Sequence, residues 1–381
     1  MFSSIDDLKV WYNDIFKQSK LYLDMQNCVE NSPWHREANV GVHTDMVFEQ
    51  YCLMMPEITT DYSTWPASVD ILAGIAVLFH DVGKPSCKTE KFKPERGTYY
   101  SFNGHESKSA RMFEDYACLH LTDKLSSSDI NLVCYMIEHH LPWSVKKADK
   151  YQKLVDGIHV VGAQHAFVRF LMSDQLGRTS DDSTTKIAEA QLWCDNFVNA
   201  SISLSMRNIE LSFNRVLYMP IGPSGVGKST IYKELNEQGY NGNLRLFSMD
   251  NLRLDWYDDD YATAWQMSVD DNTFKQDVWK HFTDTISYTH ASLYCDNTNL
   301  TVKSRRQYID FARRRGYTVI GIDIICDLQT VIDRQSTRGD KCVPKEAVMR
   351  QYWCKQSPSY GEFDEVWVHC HCINSDNEDI S

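Results

Sequence analysis

The chain has 381 residues, 43% hydrophobic and 24% charged, the composition of a globular protein long enough for two cores. Aspartate and glutamate (52) outnumber lysine and arginine (39), and the net charge of −13 argues against a protein that coats nucleic acid without sequence preference, since such proteins are usually basic. No apolar run approaches the roughly 20 residues of a membrane helix, and residues 1–10 carry acids in place of a signal pattern, so a cytoplasmic location off the membrane is expected.

Residues 1–29 read as an N-terminal helical extension with Leu8, Trp11, Ile15 and Leu21 as candidate core positions. Residues 30–205 read as an all-α domain: 71–79, 130–137 and 166–172 are apolar segments that each suit a buried helix. The polar stretch 179–185 reads as a turn, and 186–199 as a helix closing that domain, with the boundary near 200–212. From there to 368 the pattern changes to strand–helix alternation. Strands are expected at 215–221, 244–248, 292–295 and 317–325, and helices at 229–238, 273–289, 302–315 and 328–338. This order predicts an α/β domain over 206–368, with a parallel sheet covered by helices on both faces. Residues 369–381 form an acidic tail. It opens on His369-Cys370-His371-Cys372, where strand alternation points neighbouring side chains to opposite faces and argues against a metal clip. The 12 cysteines lack paired spacing and suit reduced thiols.

The densest motif runs from Gly222 to Thr230. Gly222, Gly227, Lys228 and Ser229 match the spacing of a P-loop in full, between an expected strand and an expected helix. Ser224, Gly225, Gly227 and Thr230 would present backbone N–H groups to phosphates. Lys228 would reach the β- and γ-phosphate oxygens, and the Ser229 hydroxyl would hold Mg²⁺. The cofactors expected here are ATP or another nucleoside triphosphate, with Mg²⁺. Phosphoryl transfer also needs a group to take the acceptor's proton. Asp250, at the end of the second strand, is placed for this, and Arg253 for the acceptor's phosphate. Asp296, Thr298 and Asn299 end the third strand and would face the same crevice. Arg334 and Arg338 share a helix face and suit the charge developing on the phosphoryl group. A basic run, Lys303, Arg305, Arg306 and 313–315, is a candidate grip on nucleic acid or an ordinary solvated face.

The first half carries a second constellation: His43, His80-Asp81, His105, His139-His140 and Asp174. Imidazoles and carboxylates suit one or two divalent transition metals, Mn²⁺ or similar, that keep positions open for water. Lys84 and Arg178 would suit a phosphate substrate.

On these residues 213–365 resemble the 5′-kinase domain of phage-type polynucleotide kinases, and 30–200 resemble the HD phosphohydrolase superfamily. Their order resembles the bifunctional HD–polynucleotide kinase family of end-healing enzymes. The resemblance implies that Asp250 is the general base, that Arg253 contacts the acceptor's phosphate, and that Arg338 contacts the donor. Where the family often has a second acid after the base, this chain has Asn251. It further implies that His43, His80, Asp81 and Asp174 bind a first metal, with Asp81 essential to catalysis. His105 and one or both of His139 and His140 would complete a second site, and His35 and Glu37 would approach the substrate. The implied partners are RNA or DNA strand ends and a separate ligase. The first domain would remove 2′,3′-cyclic, 2′- or 3′-phosphate, and the second would phosphorylate a 5′-hydroxyl. Two other readings stand beside this one: the same chemistries on small nucleotides or another metabolite, and a regulatory protein that has lost catalysis.

Overall fold

The computed structural model describes residues 2–30, 36–55, 67–95, 97–145, 147–158, 160, 162–179, 183–204, 215–237, 244–289 and 291–371. The chain divides into two compact units, Met1–Arg207 and Asn208–Ser381.

The first unit is helical: α1 (Ile5–Asp14), α2 (Lys20–Gln26), α3 (Val40–Leu53), α4 (Ala67–Phe79), α5 (Lys84–Cys87), α6 (His105–His120), α7 (Ser127–Glu138), α8 (Ala148–Gly157), α9 (Ala163–Leu176) and α10 (Ser183–Leu204). Polar caps set the starts: the Ser4, Ser19 and Asn39 side chains accept the N–H groups of Asp7, Tyr22 and Val42, and Ser126 with Asp129 forms a capping box. In α4, Ile71–Ala73 and Ile75–Phe79 are all buried, as expected of a central helix that is apolar all round. It packs against α3, α7 and α9. The N-terminal helices join this core, because Trp11 and Phe16 pack their rings on Phe79. Ile15 does not: it is 55% exposed and Phe16 is buried instead. The α-helix ends at Asp14, and a 3₁₀ turn over Phe16–Gln18 shifts the phase of the apolar face.

The unit is not purely α. Residues Thr89–Lys93 (β1) and Gly97–Ser101 (β2) form an antiparallel hairpin. The all-α expectation missed it because β1 is exposed at every position, so no buried face imposes an apolar alternation.

The second unit is a parallel sheet with order β4-β5-β3-β6-β7: β3 (Val216–Ile221), β4 (Leu244–Phe247), β5 (Ser292–Cys295), β6 (Thr318–Ile325) and β7 (Glu365–Cys370). Between the strands lie α11 (Lys228–Glu237), α12 (Met249–Trp256), α13 (Tyr261–Asp270), α14 (Phe274–Tyr288), α15 (Val302–Arg314), α16 (Leu328–Asp333) and α17 (Lys345–Cys354). Alternate residues of β3 feed two cores. Leu217, Met219 and Ile221 meet Phe282 and Ile309 on one face, while Val216 and Tyr218 meet Ile231 and Val331 on the other. Each such fully buried aliphatic side chain stabilises by about 1.5–3 kcal/mol. The expected helix at 328–338 stops at Asp333 and continues as short 3₁₀ turns over Arg334–Thr337 and Gly339–Lys341. Residues 372–381 lie outside the described residues, as does the expected boundary at 205.

Candidate functional sites

In the first unit the sequence-distant histidines and aspartates converge. His43 comes from α3, His80 and Asp81 follow α4, His105 opens α6, His140 follows α7 and Asp174 lies in α9. Their ligand atoms form two buried groups, His43–His80–Asp174 and Asp81–His105–His140. Asp81 faces both: its Oδ2 lies 3.1 Å from His80 Nε2 and 3.6 Å from His43 Nε2, and its Oδ1 lies 3.2 Å from His105 Nε2 and 3.9 Å from His140 Nε2.

Each ring is aimed by its other nitrogen. Nδ1–H of His80 donates to Val77 O (2.7 Å), of His105 to Phe102 O (2.8 Å) and of His140 to Ile137 O (2.7 Å). That tautomer leaves the Nε2 lone pair for a cation. His43 Nδ1 instead faces Glu37 Oε1 at 3.7 Å. Glu37 is buried and accepts the Thr179 N–H at 2.5 Å, so it orients a histidine and is not a surface group meeting substrate. His139 is turned away: its Nδ1–H donates to Tyr135 O and its ring stacks on Tyr135. It joins neither group, although the sequence alone left it level with His140. His35 lies outside the described residues.

Both carboxylates at this centre are held in their charged form. Burial opposes charge on Asp81 and Asp174, but His80 and Lys84 beside the first, and Arg178 and His43 beside the second, hold both well below the usual carboxylate range. Burial, then the His105 and His80 rings, push His140 down to about 3, so it stays neutral and able to ligate. Burial also opposes charge on His43, yet the Asp174 and Glu37 carboxylates outweigh it and raise it to about 9. His80 Nε2 and Asp81 Oδ1 are buried without an aligned hydrogen bond, while Asp81 Oδ2 meets the Lys84 ammonium. Orphaned lone pairs among imidazoles and carboxylates are the donor set that a divalent transition metal satisfies. Lys84 is buried between Asp81 Oδ2 (2.7 Å) and Glu30 Oε1 (2.6 Å), and Arg178 binds the Asp174 carboxylate. Both still line the cleft above this centre.

In the second unit the P-loop joins β3 to α11. Gly225 (φ 89°) and Gly227 (φ 112°) occupy the left-handed region, which only glycine enters cheaply. A Cβ on Gly225 would also collide with Gln335 Nε2, the group that donates to Ser224 O at 2.8 Å. Gln351 Oε1 accepts the Ser224 N–H. Lys228 Nζ donates to Gly222 O (3.1 Å) and Pro223 O (2.9 Å) inside the loop's bend. Ser229 Oγ donates to Asp296 Oδ2 at 3.4 Å. Asp296 thus lies beside the P-loop serine, and burial raises its pKa, with the Asp250 carboxylate adding to the rise.

Asp250 lies in the first turn of α12, where Ser248 is the N-cap, so its carboxylate is spared that task. Oδ1 accepts from Arg253 Nη1 (2.7 Å) and from the Tyr261 hydroxyl (2.8 Å). Arg253 is largely buried: its guanidinium lies over the Trp265 and Phe274 rings and its Nε donates to Ser268 Oγ. It thereby orients Asp250. Tyr261 escaped sequence analysis because no spacing rule links it to Asp250. Arg338 carries charge toward the site, where its field acts on Lys228, Asp296 and Tyr261.

Other expected site residues have structural duties. Asn299 (φ 48°) is buried and donates its amide to the carbonyls of Pro220, Cys295 and Asn297, so it braces the loop from behind and does not face substrate. Thr298 supplies a backbone carbonyl to Gly222 N–H. Arg334 donates to Val226 O and His371 O. In the basic run, Arg305 is fully buried against Glu362 and three backbone carbonyls, and Arg313 binds Asp364.

Burial lowers Lys228 to about 8 from the ordinary 10.5. Burying the charge therefore opposes folding below about pH 8, and that cost fades as pH rises toward 10.5. A bound triphosphate favours the ammonium. Nucleotide binding at about pH 9 is expected to take up close to one proton, read by calorimetry in buffers of different ionisation enthalpy. Lys228→Met should abolish the uptake; equal uptake by the variant would assign the proton elsewhere.

A family model described as an AAA domain matches residues 217–353. Similar solved structures include Chaetomium thermophilum Kti12 in complex with ADP-AlF3, at 12% identity and TM-score 0.31, covering 42% of this chain and 91% of that one. A gluconokinase from Sinorhizobium meliloti matches at 16% identity and TM-score 0.30, covering 42% and 84%. No curated protein matches the chain. The second unit is a P-loop, kinase-like domain, a fold that implies nucleotide and Mg²⁺ binding. No helix among the described residues is long and apolar enough to cross a membrane.

Proposed function

We propose that the chain heals nucleic-acid ends: an HD-type first unit hydrolyses a 2′,3′-cyclic, 2′- or 3′-phosphate, and the second transfers the γ-phosphate of a nucleoside triphosphate to a 5′-hydroxyl. The observation that carries the first half is the double group around Asp81, its histidine rings tethered through Nδ1 so that Nε2 atoms converge. A divalent metal held by these residues would lower the pKa of water and supply hydroxide to phosphorus. Arg178, at the cleft wall, orients the substrate's phosphate, and Lys84 neutralises excess charge beside Asp81. Glu37 keeps His43 aligned.

In the kinase reaction Asp250 accepts the proton of the attacking hydroxyl. Arg253 and Tyr261 hold Oδ1, which leaves Oδ2 to face the acceptor. Lys228 and the loop's N–H groups bind the phosphates, Ser229 and Asp296 would hold Mg²⁺, and Arg338 stabilises charge on the transferring group. The support for a polynucleotide acceptor is the union of two phosphoester chemistries of opposite direction in one chain.

One observation favours small nucleotides instead: Arg305 and Arg313 are taken by internal carboxylates, which weakens the basic run as a strand grip. A single experiment separates the two. The protein is incubated with ATP, Mg²⁺ or Mn²⁺ and a strand bearing a 5′-hydroxyl and a 2′,3′-cyclic phosphate, and both ends are mapped. Phosphate gained at the 5′ end and lost at the other is expected. Labelled phosphate reaching only free nucleosides would sink the end-healing proposal.

A further inference from the structure

The cleft above the first unit's metal-ligand groups has a wall that the chemistry at its floor does not use. The cleft holds about 400 Å³, and Tyr99 of β2 lines it together with Lys84 and Arg178. In the hairpin register Lys91 lies opposite Tyr99 and Lys93 opposite Gly97. Opposed residues of an antiparallel pair, and residues two apart on one strand, project to the same face. Lys91, Lys93 and Tyr99 therefore share one face, and the Lys93 ammonium lies 6.0 Å from the Tyr99 ring centroid. Both lysines are exposed and Tyr99 is half-buried. The opposite face is already occupied: the Lys88 ammonium covers the Tyr100 ring at 3.8 Å and donates to Val29 O. In a chain of net charge −13, this hairpin is locally basic, with Lys88, Lys91 and Lys93 against Glu90 and Glu95.

Lysines interleaved with an aromatic ring are the pattern that holds a single strand. The ring stacks on a base of any identity, and the ammonium groups follow the backbone. A small phosphate ester would be held by the cleft floor alone. Lysines on a hairpin beyond the cleft matter only to a substrate long enough to leave it.

We propose that the Tyr99 face of the hairpin seats a single nucleic-acid strand whose terminal phosphate enters the cleft: Tyr99 stacks on the terminal base, and Lys91 and Lys93 hold phosphates further along. This rests on reading the cleft as a phosphohydrolase site.

The test uses the full chain, the variant Tyr99→Ala, and a double variant Lys91→Ala with Lys93→Ala. Phosphate release is compared on glycerol 2-phosphate, adenosine 3′-monophosphate and a 3′-phosphorylated oligonucleotide of about ten nucleotides. Tyr99→Ala is expected to raise KM roughly tenfold or more for the two nucleotide substrates and to leave glycerol 2-phosphate unchanged, with Tyr99→Phe restoring the original values. The double lysine variant raises KM for the oligonucleotide only. Binding of the same oligonucleotide, blocked at its 5′ end by a fluorophore, is read by anisotropy. There the lysine variant should flatten the slope of log affinity against log salt by about 1.4, roughly 0.7 for each phosphate no longer neutralised. The kinase KM for a separate 5′-hydroxyl strand serves as the folding control and should not move. Equal losses on all three phosphate esters would overturn the proposal, as would a lysine effect as large on the mononucleotide as on the strand. If the unmodified protein hydrolyses none of them with any divalent metal, the phosphohydrolase reading fails by itself. The strand seat is then decided by anisotropy, and it falls if the variants bind as tightly as the unmodified protein.

Discussion

Lys228→Ala is expected to remove phosphoryl transfer, with kcat falling by roughly 10²–10³ or more, while the hydrolysis proposed for the first unit persists. The reason lies in how the loop holds this amine. Lys228 Nζ already sits against the Gly222 and Pro223 carbonyls, within a bend that Gly225 and Gly227 make possible. No other described side chain puts a cation into that bend, since Arg334 is committed to the Val226 and His371 carbonyls and Arg338 reaches Gln335 Oε1 from the side. The check is transfer of labelled phosphate from ATP, run beside metal-dependent phosphate release on the same preparation. Retention of transfer within tenfold would remove Lys228 from the mechanism. Loss of both activities in a folded variant would contradict two separate sites.

Asp81→Asn gives the mirror result. The proposed phosphohydrolysis is expected to fall at least roughly 10²-fold, with the kinase untouched. Asp81 bridges the two ligand groups through its separate oxygens, so its charge is shared by both halves of the centre. The amide keeps the shape but loses one anionic oxygen and turns a donor toward the histidines. Metal binding gives a second readout. With metal at about 100 times its dissociation constant, the unmodified protein gains about 2.7 kcal/mol, which for a unit of this size raises Tm by roughly 5–10 °C. Asp81→Asn should lose most of that rise. A variant that keeps the full shift would show that the metal is held without Asp81.

The second unit was largely legible in the sequence because its signals are local. Strands such as 292–295 are short apolar runs between turns, and a P-loop's spacing is fixed by the phosphates it wraps. The metal-ligand groups were legible as residue types but not as geometry. His139 and His140 are neighbours in sequence, and only the end of α7 decides that one ring turns to Tyr135 and the other to the centre. Glu30 gave no signal at all, and Glu37 was legible only as a substrate candidate and not as the partner of His43, because a carboxylate takes its role from what folding sets beside it. Asn299 and Arg305 misled for a related reason. Polar side chains near a crevice suggest ligand contact, yet backbone carbonyls left unpaired by the P-loop and the turn before α15 claimed them first. The hairpin stayed hidden because its faces serve neither core.

The Nδ1 tethers of His80 and His140 end on carbonyls in the last turns of α4 and α7. Both carbonyls lie in a helix's last turn, where acceptors outnumber the backbone donors in reach, so each helix end doubles as a jig for its ring. Ligand aim is thereby locked to helix length. Conservative exchanges that keep the length of α4 or α7 leave the rings where they are. One inserted or deleted residue within either helix would swing its histidine by about 100° around the axis and off the shared centre. The first unit should therefore resist changes of length in these two helices more strongly than conservative exchanges along them.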